Sequence, residues 1–70
     1  MDNLKKLREE KGLSQSALAQ ASDVSLRMIQ HYEQGAKDLS KASVTTVQAL
    51  AIALDCSINK LMGWDDVLEK

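Results

Sequence analysis

Arg27, Gln30, His31 and Gln34 fall together in the stretch LRMIQHYEQ, interleaved with apolar Ile29 and Tyr32. A guanidinium is a flat fork of donors, a Gln amide offers donor and acceptor side by side, and an imidazole can do either. Such a mixture suits a helix with one face in a core and the other held against DNA, since these groups match the donor and acceptor edges of bases. Other chemistries find less support. His31 has no second metal ligand three or four residues away, the single Cys56 has no basic neighbour to lower its pKa, and Asp65 and Asp66 are adjacent and point apart. No glycine-rich phosphate loop and no nucleophile paired with a base is present, so no enzyme, metal or cofactor is expected.

Holding that stretch in place requires further elements. Asp2 or Asn3 can cap a first helix to about Lys11, with Leu4 and Leu7 on one face and Lys5, Lys6, Glu9 and Glu10 toward water. Gly12 followed by Leu13 is a helix-ending pair. Ser14 caps a second helix, about 15–22, in which Ala17, Ala19 and Ala21 let a neighbouring backbone approach closely. The turn Ser22-Asp23-Val24 needs one residue at positive φ, and Asp23 is the best candidate. Ser25 caps a third helix, about 26–34, which Gly35 stops. Leu26 and Met28 cannot both face inward, and Leu26 is placed outward.

The segment GAKDLSKA reads as a polar loop pinned by Leu39. Ser43 then caps a fourth helix, about 44–54, whose Val44, Val47, Leu50, Ala51 and Leu54 form one apolar stripe with Ile52 at its edge. Asp55 takes the position where glycine is usual, Cys56 is a buried filler, and Ser57 caps a fifth helix, about 58–63, with Ile58, Leu61 and Met62 inward. Residues 64–70 form a short tail with Trp64, Val67 and Leu68 at helical spacing. The expectation is a single all-α domain over residues 1–70, a bundle of five helices too short to persist alone.

A chain of 70 residues buries a limited fraction of its surface, so modest stability follows. Its longest apolar run, 47–54, is too short to cross a bilayer, and no apolar leader opens it. A cytoplasmic location is expected. The formal net charge is −1, unusually low for a phosphate binder. Residues 1–41 hold seven basic and six acidic groups against two and four in residues 42–70, so positive surface belongs to the N-terminal part and non-specific DNA affinity should be weak.

Taken together, LREEKGLSQSALA, VSLRMIQHYEQG and ASVTTVQALAIALDCSINKLM resemble the lambda-repressor-like helix-turn-helix domains, the phage Cro and repressor group with the bacterial xenobiotic-response-element-type regulators, over about residues 3–63. The resemblance implies a five-helix bundle in which helices 2 and 3 form the helix-turn-helix. It implies that Gln15 contacts a phosphate and braces the recognition helix. Ser25, Leu26, Arg27, Gln30 and His31 face the major groove or its flanking backbone, and Lys37 and Lys41 meet phosphates from the loop. It also implies a buried ion pair between Arg8 and Glu33. The chain departs from the pattern at Asp23, where glycine is usual, at Leu26 and Met28, where polar residues are commoner, and at Ile52, where Lys or Glu is commoner.

The expected function is sequence-specific binding of double-stranded DNA by a transcriptional regulator, most simply a repressor whose homodimer sits on an inverted repeat. Ile52, Trp64, Val67 and Leu68 are the candidate dimer interface. The competing reading is a protein-interaction module on the same fold, an antitoxin-like or co-regulator domain, motivated by the acidic balance and by Met28 and Ile52.

Overall fold

A computed structural model describes residues 2–64 of the chain; Val67 and Leu68 lie outside the described residues. Five α-helices follow one another: α1 (Leu4–Glu10), α2 (Gln15–Ser22), α3 (Leu26–Gln34), α4 (Val44–Ala53) and α5 (Ile58–Met62). A 3-10 turn at Leu39–Lys41 interrupts the segment that reads from sequence as an irregular loop. Among the described residues there is no strand.

Each boundary has a local cause. The hydroxyls of Ser14, Ser25, Ser43 and Ser57 accept from the amides of Ala17, Met28, Thr46 and Lys60, three residues into their helices. At the end of α1, Gly12 at φ +71° lets its own amide reach Glu9 O and that of Leu13 reach Arg8 O. Asp23 and Asp55 adopt the same left-handed conformation at φ 60° and 53°, without glycine's freedom. Asn3 holds the N-cap position of α1 without a side-chain bond into the helix, and it is the Asp2 carboxylate that accepts from the Leu4 amide. Asn3 instead ties the N-terminus to α5: its backbone amide donates to Leu61 O and its side chain to Lys60 O.

The helices enclose one core of Leu4, Leu7, Leu18, Ile29, Tyr32, Leu39, Val47, Leu50, Ala51, Leu54, Leu61 and Met62. Helix α2 is the hub, packed against both α3 and α4. Leu39 is fully buried and pins the segment between α3 and α4.

Two expectations fail within this core. Ala21 is exposed, and Ser22 one residue on takes the buried place; its hydroxyl donates to Leu18 O at 2.7 Å and accepts from the Val24 amide, so no polar atom is stranded. Val44 is 75 % exposed instead of joining the α4 stripe. At 100° per residue it sits roughly 70° from the centre of the arc formed by Val47, Leu50, Ala51 and Leu54, and as the first residue of the helix it stands at the end of that stripe.

Candidate nucleic-acid interface

Helix α3 divides cleanly into two faces. Ile29 and Tyr32 are buried against α1 and α2, while Arg27 and Gln34 are exposed, Leu26 is 38 % exposed, and Gln30 and His31 are half-buried. Leu26 thus points outward and Met28 packs partly against the core. The outer face is exposed at Leu26, Arg27 and Gln34 and half-exposed at Gln30 and His31, and it carries an aliphatic group, a guanidinium, two amides and an imidazole. At the first turn, Ser25 satisfies the Met28 amide, which leaves those of Leu26 and Arg27 without an acceptor among the described residues. Free amides at a helix start attract anions.

The orientation of this face is fixed from behind by a buried charge cluster. Arg8 on α1 grips Glu33 on α3 with two hydrogen bonds, Nε to Oε2 at 2.7 Å and Nη2 to Oε1 at 3.0 Å. The Arg8 and Glu33 side chains are only 11 % and 3 % exposed. The remaining Arg8 nitrogen, Nη1, donates to Leu13 O at 2.7 Å, and Gln15 Nε2 donates to Glu33 Oε1 at 3.1 Å. Three helices therefore converge on one carboxylate. Burial pushes the Glu33 pKa up, but hydrogen bonds from Arg8 and Gln15 and the charges of Arg8 and Lys5 outweigh it and hold the group below the ordinary carboxylate range. The hydrogen bond to Glu33 raises the Arg8 pKa in turn, against its own burial.

Gln15 accordingly sits between two tasks. One of its two amide hydrogens is spent on Glu33; the second hydrogen and the carbonyl oxygen have no partner among the described residues. Lys37 and Lys41 are exposed beyond the end of α3. Lys37 lines a groove between α1 and the end of α3 together with Lys5, Lys6, Tyr32 and Trp64, and with the carboxylates of Asp2, Glu9 and Asp38. The convergence of Lys5 and Lys6 with Lys37 is invisible in the linear sequence, where they are solvated residues of another helix. Trp64, 45 % exposed, belongs to this groove, whereas Ile52, 71 % exposed, stands on α4 and is not part of it. The two described members of the candidate dimer interface are therefore not gathered in that groove.

Among the described residues no group of His, Cys, Asp and Glu could hold a metal ion, and no helix is long and apolar enough to cross a membrane. A comparison with curated proteins finds no match. A scan against family models matches the helix-turn-helix family, in its Cro/C1-type form, over residues 4–61, which takes in all of α1 to α4 and most of α5. This family is one of DNA-binding regulatory domains rather than of enzymes. With α2 and α3 crossed behind a bare, polar outer face, the chain belongs to the Cro/C1-type, lambda-repressor-like helix-turn-helix family of DNA-binding domains.

Proposed function

We propose that this protein is a sequence-specific transcriptional regulator, most simply a repressor that binds as a dimer to an inverted repeat whose half-sites lie about 34 Å apart. The observation that carries this reading is the outer face of α3, bare while its back is anchored by Ile29, Tyr32 and the Arg8–Glu33 pair. Arg27 forks onto guanine O6 and N7, Gln30 pairs with adenine, Leu26 packs on a thymine methyl, and His31 and Ser25 contact base edges or the adjoining backbone. Gln15 gives its second amide hydrogen to a phosphate, and Lys37 and Lys41 hold phosphates electrostatically. The cytoplasm, where the DNA lies, is the place of action.

Exposure of Val44 and Ile52 favours a second reading, in which the fold docks a protein partner instead. Selection of bound duplexes from a random pool, followed by retention on random duplex across a salt series, separates the two. A regulator enriches one sequence with twofold symmetry and loses non-specific retention steeply as salt rises. Recovery of no enriched sequence, with no retention even at low salt, would favour the interaction module.

A further inference from the structure

The groove between α1 and the end of α3 is largely unused by the DNA reading, which assigns a contact only to Lys37 among its lining. Its volume is about 830 Å³, within the roughly 300–1,000 Å³ of small-molecule clefts. Tyr32 forms part of its wall and is only 7 % exposed. The Tyr32 hydroxyl has no hydrogen-bond partner among the described residues. No polar side-chain atom there is sealed away without one, so this oxygen opens onto the groove. A buried phenol usually finds a partner, and one left bare at the wall of a cleft is a place for a ligand atom.

Charges of both signs share the same groove. Lys5, Lys6 and Lys37 line it together with Asp2, Glu9 and Asp38. The ion pairs among the described residues join Arg8 to Glu33 and Lys11 to Asp55, so these six groups do not neutralise one another by contact. Glu33 also reaches the groove, but Arg8 already compensates it. Asp2 and Asp38 each use Oδ1 locally, on the Leu4 amide and on Ser40, which leaves the Oδ2 of each without a partner there. Trp64 adds a flat apolar wall. It is 45 % exposed, and its backbone amide donates to Asn59 O at 2.8 Å, which fixes where the ring leaves the chain.

We infer that this groove binds a free α-amino acid with a large apolar side chain, as its zwitterion. The ligand carboxylate accepts from the Tyr32 hydroxyl with lysine ammoniums beside it, the ligand ammonium faces the groove carboxylates, and the apolar side chain lies on the Trp64 ring. The balance of charge selects this class. A polyanion such as a nucleotide would meet Asp2, Glu9 and Asp38, and a simple cation would meet the three lysines, in each case without compensation. A zwitterion satisfies both sets at once. Because most of these charges are exposed, binding is weak, with a Kd on the order of 1 mM.

Trp64 is the single tryptophan of the chain, so its fluorescence reports on the groove. In the whole protein it should change saturably on titration with L-phenylalanine. N-acetyl-L-phenylalanine lacks the ammonium and L-phenylalaninamide lacks the carboxylate; each should bind about tenfold more weakly. Tyr32→Phe removes only the hydroxyl and should also weaken phenylalanine about tenfold. Should that variant fold poorly, Lys5→Gln combined with Lys6→Gln alters exposed positions alone and should weaken it about threefold. No saturable change up to roughly 10 mM overturns the proposal. So does equal binding by either analogue, which would mark a site for a single charge, or binding untouched by the variants, which would put the ligand elsewhere. None of these measurements involves DNA, so the regulator reading stands or falls separately.

Discussion

Glu33 is the residue on which the site's geometry depends most, because α1 and α2 each place a donor on this carboxylate of α3. Glu33→Gln keeps the shape but leaves the Arg8 guanidinium without its counter-charge. Removing one partner of a buried pair costs about 3 kcal/mol or more, which chemical denaturation would read as a lower midpoint with an unchanged slope. The pH dependence has a definite sign. Since the folded carboxylate is held below its ordinary value, its contribution is complete above the unfolded value of about 4.3 and is lost as pH falls through the lower folded one. Wild-type stability should thus drop as pH is lowered below about 4.3, and a denaturation series in Glu33→Gln should show a shallower drop. The exposed pair of Lys11 and Asp55, at 3.6 Å, should contribute about 0–1 kcal/mol and respond to salt.

At the scale of elements, the turn between α2 and α3 sets the angle at which α3 is presented, and it is made with Asp23 at φ 60°. Asp23→Gly should relieve left-handed strain and raise stability by up to about 1 kcal/mol, measurable as a higher thermal midpoint. A decrease would mean that the aspartate side chain holds the turn in a way its hydrogen bonds do not reveal. Much of the helical frame was legible beforehand because caps are local chemistry. Ser14, Ser25, Ser43, Ser57, Gly12, Gly35 and the positive φ of Asp23 each follow from one residue type at a boundary. Packing was less legible, for physical reasons. Periodicity gives the angle of a side chain about its helix but not the reach of the neighbouring helices along it, which is why Val44 read as core and stands in solvent. Ser22 read as linker because its burial depends on a hydroxyl returning to Leu18 O. The tie from Gln15 to Glu33, and the meeting of Lys5 and Lys6 with Lys37, join segments far apart in sequence and exist only once the bundle closes.

For the molecule as a whole, one small core of mostly leucine side chains holds five short helices, with a single cysteine in the sequence and, among the described residues, no group of side chains that could hold a metal ion. Leu50 is fully buried on α4. Leu50→Ala should cost about 2–5 kcal/mol, a large part of what a domain of this size possesses, and circular dichroism at 37 °C should find the variant substantially unfolded. Ile52→Lys, two residues along the same helix, should be within about 0.5 kcal/mol of wild type because its side chain stands in solvent. The low net charge fits a binder that relies on a few placed contacts instead of a broad positive field. That claim is tested most directly by the affinities of wild type and Arg27→Ala for a selected duplex and for each of its single-base variants. The account predicts a loss of about 1–3 kcal/mol on the selected site, with preference relaxed at one base position and retained at the others. Equal binding by the two proteins across every variant would contradict it.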